Sequence, residues 1–434
     1  MHVCKQRLIV VVFGVALLLG VGTLAVATGQ QEKAGAATIE VWLWKSFVAE
    51  QNAYMERQLY SFATLTGHRV NVSFLPAEEI YKKQLAAVEA NIFPDISEIW
   101  VQNIDQFNRM GVLADITDTF DALNAQSPFS PLLATMVTLG GKKVGIPFNT
   151  SAEAQYWRND VLDAMGLKPA DTWEELKATA KKITAAGQLF GFATALGRPA
   201  TDGEKLIQSV MWAYGGSVMD SSGRPAFKSA ATAQAFDYLV SLVREKIMPE
   251  GITAWDDGGN NRAYQTKSVA CVQNTASVYN YMLLNDAELL KNTIIVPVAG
   301  GPKGRYTDTV PHALGVSAKS KNLAVAKDLM KYIMDETLYQ GWIEQAGAQI
   351  QPVYTRLVDK PFWADPYRKA FIEAGAKYGA YEGWPGPASA ASGEVFGTYV
   401  LGDTIQKIII DDWSTDRALD WGAQKINEIY ERWK

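Results

Sequence analysis

Two short groups of aromatic and polar residues stand where predicted β-strands end. They follow the first and the third strand: Trp44, Lys45 and Ser46, and Trp100, Gln102 and Asn103. In parallel α/β sheets, ligands bind beyond the carboxyl ends of the strands. An indole ring presents a flat apolar face, while hydroxyl, amide and ammonium groups form hydrogen bonds. These residue types favour the binding of a small polar molecule.

Metal-binding and nucleophilic residues are few. After the first 27 residues the chain contains only His68, His312 and Cys271, which are too few soft ligands for a zinc site. Cys271 lies in the apolar run 269–272 and is interpreted as an inert core residue. The segment 256–261 (DDGGNN) is rich in oxygen ligands but lacks the spacing of a calcium loop, which favours a turn. The sequence therefore predicts no metal and no other cofactor.

Sequence motifs for phosphate binding and covalent catalysis are missing. The chain has no GxxxxGK loop, no GxGxxG turn, no HExxH and no GxSxG elbow. Its net charge of −5 gives no sign of the basic face that nucleic-acid binding needs. Two catalytic carboxylates could still lie far apart in the sequence and leave no local signature. A carbohydrate-active enzyme is therefore the alternative to a binding protein.

The periodicity of apolar residues alternates between strands and helices. Strands are predicted over 39–43, 70–74 and 93–100, and helices over 55–62, 80–88 and 102–110. This βαβαβα order predicts an α/β fold with a mainly parallel, doubly wound sheet. Further strands are predicted over 190–195, 269–272 and 293–298, and helices over 206–214, 323–333 and 338–346. Thr172 and Glu175 predict a capping box. An amphipathic C-terminal helix is predicted with one apolar face: Leu419, Ala423, Ile426, Tyr430 and Trp433.

The first 27 residues have the features of an export signal. Lys5 and Arg7 precede an uncharged run over 8–27, which ends in the small-x-small site Ala25-Val26-Ala27. Residues 28–37 form a tether. The run is also long enough to span a bilayer, so an uncleaved membrane anchor is the alternative. The mature chain is therefore expected in the periplasm or another extracytoplasmic space, and its single Cys cannot form an internal disulfide.

Several segments in order resemble one known family. They are FPDI at 93–96, GVLADI at 111–116, GKKVGIP at 141–147, YWRNDVL at 156–162, TWEEL at 172–176, GGPKG at 300–304 and ALGVS at 313–317. With the export signal, they resemble the extracellular solute-binding proteins of ABC importers, the sugar-binding family that includes the maltose-binding protein. The resemblance runs through most of residues 38–434.

The resemblance implies a periplasmic-binding-protein type II fold, with two α/β lobes joined by hinge crossovers and ligand between them. Lobe I would comprise residues 38–149 plus 314–350. Lobe II would comprise residues 150–313 plus 351–434. The crossings would fall near 149–153, 312–314 and 349–353.

The resemblance also implies ligand-binding residues: Trp44, Lys45, Ser46, Gln102, Asn103, Asn149, Ser151, Trp255, Asp257 and Trp384. For Trp44 the alternative is a core position. For Gln102 and Asn103 it is capping of the next helix, and for Asn149 and Ser151 it is turn hydrogen bonding. The family's aromatic platform near 274–277 is replaced by Asn-Thr-Ala-Ser, so Tyr279 or Tyr281 would have to substitute.

The implied function is non-enzymatic capture of a mono- or oligosaccharide and its delivery to ABC permease subunits by a monomer that binds no nucleic acid. An exported carbohydrate-active enzyme and a module that feeds a sensor are the alternatives. Another solute, such as a polyol or glycerol phosphate, is also open. A phosphate ligand would need cationic side chains in the cleft, and Lys45 with Arg198 or Arg305 could supply them.

Overall fold

The structure, a computed structural model, describes residues 35–198, 200–309 and 311–434. The predicted signal over 1–27 and most of the tether lie outside these residues. Within the described ranges, no helix is both long enough and apolar enough to cross a bilayer.

The strands of four or more residues in the described ranges are β1 (Thr38–Trp44), β2 (Arg69–Leu75), β3 (Ile96–Trp100), β4 (Ile146–Asn149), β5 (Ala154–Arg158), β6 (Cys271–Asn274), β7 (Thr293–Pro297) and β8 (His312–Val316). Two-residue strands pair as Thr138–Leu139 with Lys142–Lys143, Gly300–Gly301 with Gly304–Arg305, and Thr307–Asp308 with Gly379–Ala380.

The α-helices in the same ranges are α1 (Ala49–Thr66), α2 (Ala77–Glu89), α3 (Val101–Arg109), α4 (Thr117–Gln126), α5 (Pro131–Met136), α6 (Asn159–Ala164), α7 (Trp173–Ala185), α8 (Thr201–Tyr214), α9 (Ala230–Arg244), α10 (Gly259–Gln265), α11 (Ser277–Asn285), α12 (Ala287–Lys291), α13 (Leu323–Ile333), α14 (Glu336–Gln345), α15 (Pro366–Tyr378), α16 (Ala390–Gly397), α17 (Val400–Ile409) and α18 (Thr415–Trp433). Short 3₁₀ turns cover Ile252–Ala254, Thr355–Asp359 and Pro361–Ala364.

The first lobe is built on a mixed sheet of order β2-β1-β3-β8-β4. β1 runs parallel to β2 and β3, as the βαβαβα pattern predicts, because each connecting helix returns the chain to the same edge. β8 enters much later in the chain and pairs antiparallel with both β3 and β4. The carboxyl ends of β1, β3 and β4 therefore meet the amino end of β8 at one edge of the sheet.

The second lobe has a three-stranded antiparallel sheet with β5 between β6 and β7. Successive side chains of β5 point to opposite faces. Tyr156 joins the hydrophobic core that includes the first sheet, and Trp157 joins a second core formed with α7, α8, α9 and the C-terminal helices. The predicted two-lobe α/β fold is confirmed.

Three elements differ from the sequence prediction. The strand expected over 190–195 makes only isolated bridges at Phe190 and Ala193, since the Gly191 N–H donates to Thr184 Oγ1 instead of a neighbouring strand. The helix expected over 206–214 begins one turn earlier, at Thr201. In α18, Leu419 and Ile426 are buried as predicted, but Ala418, Gly422 and Ile429 complete the buried face; Ala423, Tyr430 and Trp433 lie at its border.

Three chain segments connect the two sheets. Thr150 and Gln351, on the first and third segments, exchange backbone hydrogen bonds of 3.3 and 2.7 Å. His312 already pairs with β3 of the first sheet, two residues before the expected boundary at 314. Tyr354 bridges Phe129 of the first lobe, although the expected boundary lay at 350. The crossings thus lie side by side, as a hinge requires.

The predicted capping box at the start of α7 is present, since Thr172 accepts from the Glu175 N–H and Glu175 accepts from the Thr172 N–H. We expect Thr172→Ala to lower the free energy of unfolding by about 1 kcal/mol, because two amide donors lose their partner geometry. Urea denaturation measures this. Thr179→Ala, at a half-buried position inside the same helix, is the control and should leave stability unchanged or slightly raised; equal effects of both changes would contradict the capping role.

Candidate ligand-binding cleft

A cleft of about 600 Å³, partly open to solvent, lies between the two lobes. This volume includes open solvent at the mouth of the cleft, and the space within it that a water-sized sphere can occupy is about 60 Å³. The first lobe and the hinge line it with Trp44, Phe47, Ala77, Trp100, Asn149, His312, Gln349 and Ile350. The second lobe lines it with Ser151, Thr201, Asp202, Lys205, Asp257, Asn261, Asn274, Thr275 and Phe396.

Aromatic rings form one wall of the cleft. Trp44, at the end of β1, lies edge-on to His312 with ring centroids 5.9 Å apart and edge-on to Phe47 at 6.4 Å. Trp100, at the end of β3, lies 6.1 Å from His312 and meets Phe396 of the second lobe edge-to-face at 5.3 Å. Phe47 is 58 % exposed and stands at the rim. The wall therefore offers apolar ring surface to a bound molecule.

The buried carboxylate of Glu98 supports this wall from behind. Its Oε2 accepts a hydrogen bond of 2.8 Å from the backbone N–H of Trp44. Its Oε1 lies 2.9 Å from Asn149 Nδ2 and 2.5 Å from His312 Nδ1. Glu98 on β3 thus joins the ends of β1 and β4 to the start of β8, which places Trp44, Asn149 and His312 at one site.

The opposite wall begins at the first turn of α8. A helix N-terminus leaves backbone N–H groups without partners, and Ala200 before this helix has no side chain that could cap it. Asp257, from a distant loop, supplies the acceptor: its carboxylate receives the Asp202 N–H at 3.0 Å and the Thr201 hydroxyl at 2.5 Å. This contact explains why α8 starts at Thr201 and brings Asp202 and Lys205 to the cleft.

Lys205 is the cation of this wall. Its Nζ lies 3.4 Å from Asp202 Oδ1 and 3.9 Å from Glu153 Oε1. Burial opposes its charge, but the summed attraction of Asp202, Glu153, Asp257 and Asp308 outweighs burial, so the pKa of Lys205 is raised above its usual range. The ammonium is therefore charged and fixed in place.

The pKa values of two carboxyls beside Lys205 are also raised, that of Asp257 in the cleft lining and that of the buried Glu153, and for a carboxyl a raised pKa favours the neutral form. Desolvation, followed by the charge of Asp202, raises the pKa of Asp257 to about 7. Desolvation raises the pKa of Glu153 to about 8, against the opposing charge of Lys205. Asp202 keeps two partners, Lys205 and Asn260 Nδ2 at 3.0 Å. The wall thus combines hydrogen-bond acceptors with one firmly held cation.

A closed ring of amide and hydroxyl groups extends the polar wall. Asn274 Nδ2 donates to Asn261 Oδ1, Asn261 Nδ2 donates to Ser277 Oγ, and Ser277 Oγ donates to Asn274 Oδ1, at 2.5, 2.9 and 3.1 Å. These residues occupy the region where an aromatic platform was expected by resemblance. Tyr279 is buried against Tyr367, and Tyr281 is an exposed residue outside the cleft lining, so neither replaces the platform there.

Of the predicted site residues, the cleft brings together Trp44, Asn149, Ser151 and Asp257. Lys45 is exposed and outside the lining. Ser46 is buried behind the lining, where its hydroxyl donates to Gln349 Oε1 at 3.1 Å and so supports a residue that does line the cleft.

Gln102 and Asn103 lie outside the cleft lining because α3 turns them toward α16. The Gly393 backbone packs directly against Gln102 and Asn103. Asn103 Nδ2 donates to Gln106 Oε1 at 3.3 Å, and the buried side-chain amide of Gln102 has no hydrogen-bond partner among the described residues. Neither side chain caps α3, so the alternative role considered for them does not apply either.

The two predicted second-lobe tryptophans also lie outside the lining. Trp255 packs against both hydrophobic cores, with its ring against Gly259. Trp384 packs against Tyr306 and Trp212, with ring centroids 4.6 and 6.1 Å away. Phe396 is the second-lobe aromatic residue that reaches the cleft.

Several cleft residues were missed by sequence reasoning. Asp202 and Lys205 precede the predicted start of their helix, and Phe396 lies in a segment without a motif. His312 was named only as one of too few metal ligands and as part of a predicted crossing, and Gln349 only as part of a predicted crossing. The available signal was position: His312 and Gln349 both fall in predicted crossings, and crossings border the cleft.

A smaller cavity of about 200 Å³ lies behind Phe396 and is lined by Glu204, Gln208 and Glu382 among others. Glu204 Oε1 accepts the Gly402 N–H at the start of α17. Both oxygens of Glu382, which is 2 % exposed, have no hydrogen-bond partner among the described residues. Desolvation raises the pKa of each of these two glutamates to about 8. In the described ranges, no group of three or more His, Cys, Asp or Glu residues is arranged to hold a metal ion.

Two α/β lobes that line one cleft from both sides define a two-lobed ligand-binding protein. The sequence matches the family described as "Bacterial extracellular solute-binding protein" over residues 59–370, more than half of its 434 residues, and the chain belongs to that family.

Relatives and solved structures agree with this assignment. The chain is 26 % identical over 290 residues, 63 % of its length and 66 % of the other chain, to a protein of Deinococcus radiodurans named "Probable ABC transporter-binding protein". It is similar in structure to the maltose-bound MalE3 of T. maritima, with a TM-score of 0.78, 23 % identity and coverage of 91 % and 100 % of the two chains. It is similar also to a sugar transporter protein of Arthrobacter chlorophenolicus with bound laminaribiose, with a TM-score of 0.81, 17 % identity and coverage of 90 % and 99 %.

The buried carboxyls predict the direction of the pH dependence of stability. The pKa of Glu382 is about 8 in the folded chain against an ordinary value of 4.5. A raised pKa in the folded state means that proton binding stabilises the fold at low pH and that this contribution is lost between about pH 4.5 and 8. We expect Glu382→Gln, which cannot ionise, to flatten the fall in unfolding free energy across this range by up to about 1.4 kcal/mol per pH unit.

Urea denaturation at a series of pH values measures this difference. Glu431→Gln, at an exposed position paired with Lys434, is the matched control and should follow the unchanged chain. Parallel pH curves for Glu382→Gln and the unchanged chain would contradict a proton on Glu382 in the folded state.

Proposed function

We propose that this chain captures an uncharged mono- or oligosaccharide between its lobes, outside the cytoplasmic membrane, and delivers it to an ABC-type importer. The observation that carries the proposal is the division of the cleft into an aromatic wall on the first lobe and a hydrogen-bonding wall on the second. A sugar presents C–H faces and a rim of hydroxyl groups, so it complements both walls at once.

The proposed ligand contacts follow from this division. Trp44 and Trp100 stack against sugar faces, and Phe396 closes the same surface from the second lobe. Asn149 and Ser151 at the hinge, with Asp257 and Lys205, bind the hydroxyl groups. The maltose and laminaribiose held by the two structural neighbours support this choice of ligand class.

The charge of the cleft favours a neutral ligand over a phosphate. Lys45 is exposed outside the lining, Arg198 pairs with Asp403, and Arg305 pairs with Asp171. Two carboxyls and one ammonium line the second-lobe wall. A phosphate would face this acidic wall with a single cation that is already held by carboxylates, and its desolvation would be poorly compensated.

Catalysis is not part of the proposal. Glycoside cleavage needs two carboxyls that flank the scissile bond. In the cleft Asp202 and Asp257 lie on the same wall. Asp202 belongs to the first turn of α8, and Asp257 accepts a hydrogen bond from its backbone N–H. Across the cleft, Glu98 lies behind Trp44 and His312, accepts hydrogen bonds from the Trp44 N–H and Asn149 Nδ2, and contacts His312 Nδ1 at 2.5 Å. This arrangement suits holding a sugar without cleaving it.

We also propose the organisation of the chain around this function. The lobes comprise about 38–149 with 312–359, and about 150–311 with 360–434, since β8 pairs within the first sheet and Tyr354 bridges Phe129 of the first lobe. Residues 1–27 direct export, with cleavage after the apolar run. The mature protein is a monomer whose closed form is recognised by the permease subunits.

Binding is proposed to act through closure of the lobes about the hinge. Only a closed cleft lets one sugar touch Trp44 and Asp257 together, so the ligand binds the closed state more tightly and shifts the population toward it. Small-angle scattering should therefore record a smaller radius of gyration with a bound sugar. An unchanged radius during saturable binding would contradict closure.

Trp44→Ala should weaken sugar binding about tenfold, because a stacked aromatic face contributes about 1.4 kcal/mol beside a ligand. Isothermal titration with maltose, laminaribiose and tagatose measures this. The matched control is Trp384→Ala, a tryptophan outside the cleft, which should leave the affinity unchanged. Equal losses in both variants would contradict the assigned cleft.

A ligand panel separates the neutral from the anionic class. We expect thermal stabilisation by at least one neutral saccharide and none by glycerol phosphate or sugar phosphates at the same concentration, because the second-lobe wall is acidic. Stabilisation by the phosphates alone would overturn the proposed ligand class.

A further inference from the structure

His312 holds a distinctive position among the histidines. It is the first residue of β8, lies between Trp44 and Trp100 of the aromatic wall, and lines the cleft. Its Nδ1 is 2.5 Å from the Glu98 carboxylate. Its Nε2 has no hydrogen-bond partner among the described residues.

We propose that Glu98 holds His312 in the tautomer with its proton on Nδ1, so that the bare Nε2 accepts a hydrogen bond from a hydroxyl group of the bound solute. This inference rests on the proposed function and adds a specificity-determining contact to it. His312 would be the ligand residue and Glu98 the positioning residue.

The tautomer follows from what surrounds Glu98. The backbone N–H of Trp44 can only donate, and it donates to Oε2 at 2.8 Å. The Asn149 amide lies 2.9 Å from Oε1 and is placed to donate as well. Because donors converge on both oxygens, Glu98 acts as an acceptor toward His312, and Nδ1 carries the hydrogen.

The ligand group follows from the tautomer. A neutral imidazole with Nδ1–H presents an acceptor at Nε2, about opposite to the Nδ1 edge and therefore away from Glu98. An acceptor in such a site selects a hydroxyl or amine donor and rejects an ether oxygen or a phosphate oxygen, since those leave Nε2 unpaired.

His68 provides an internal contrast. Its Nδ1 accepts a hydrogen bond from the backbone N–H of Ala37 at 3.1 Å, so its neutral form must carry the proton on Nε2. The two histidines of the described chain are therefore expected in opposite tautomers. His2 is the third histidine of the sequence, so a histidine spectrum of this protein contains few signals.

Long-range ¹H–¹⁵N correlation spectra of the full chain labelled at histidine nitrogens test the proposal. At about pH 8, where free imidazole is neutral, His312 should give the Nδ1–H pattern and His68 the Nε2–H pattern. His68→Gln and His312→Gln assign the signals. Addition of the sugar that binds best among maltose, laminaribiose and tagatose should shift the Nε2 signal of His312 and leave His68 unmoved.

Two variants separate contact from positioning. His312→Phe keeps a ring but removes the acceptor, and it should weaken sugar binding about three- to tenfold, while His68→Gln leaves affinity unchanged. Glu98→Gln can donate to Nδ1, so it should raise the fraction of His312 with its proton on Nε2. A purely structural role of Glu98 would not move the tautomer.

The outcomes are distinct. An Nε2–H pattern for His312 in the ligand-free chain would overturn the tautomer assignment. An unmoved His312 signal in a chain that binds sugar would overturn the contact and leave the proposed function standing. A chain that binds none of the saccharides would sink the proposed function, and the contact with it.

Discussion

The cleft of this protein depends on one buried carboxylate. Glu98 accepts hydrogen bonds from the backbone of Trp44 and the side chain of Asn149, and it contacts the ring of His312. A buried carboxylate is costly unless each oxygen has partners. The three partners come from the ends of three different strands, so satisfying Glu98 fixes those ends relative to each other. The position of the aromatic wall follows from these contacts, because Glu98 holds Trp44 and His312 in place and Trp100 is only two residues from Glu98.

The second lobe uses the same device with another carboxylate. Asp257 supplies the capping acceptor that the sequence before α8 lacks, and in doing so it fixes Asp202 and Lys205 at the cleft. The buried acids around Lys205 outnumber it, and burial, with repulsion from Asp202 as a smaller cause, raises the pKa values of Glu153 and Asp257. Such a wall binds hydroxyl groups well, since neutral hydrogen-bond donors offset the unfavourable burial of its carboxyls. It holds an added negative charge poorly.

The order of the first three strands and helices could be predicted from sequence because period-2 and period-3.6 patterns are local. The end of β1, and with it Trp44, was predicted by the same reasoning, whereas Asn149 was named from the family resemblance, which placed a crossing near 149–153. Asp202 and Lys205 could not be, because the start of α8 is decided by Asp257, a residue far along the chain. Phe396 is a similar case: its place at the cleft follows from the packing of α16 on α3. Trp384 is of a residue type that can stack on a ligand, but its ring packs against Tyr306 and Trp212 instead.

The two walls differ in what opening would expose. Separation of the lobes would uncover Trp100 and Phe396, which now meet at 5.3 Å, and would break the bond between Asp105 Oδ2 and the Ala390 N–H of α16. It would also let water reach the carboxyls of the second lobe, whose burial is unfavourable. Loss of the ring contact and of the hydrogen bond disfavours opening, whereas hydration of the carboxyls favours it. Because the two contributions have opposite signs, the free energies of the open and closed forms can lie within a few kcal/mol of each other. A sugar that supplies hydroxyl donors to the polar wall removes the burial penalty of the closed form and leaves its apolar contact intact. The polar wall, more than the aromatic one, is therefore where ligand identity decides closure.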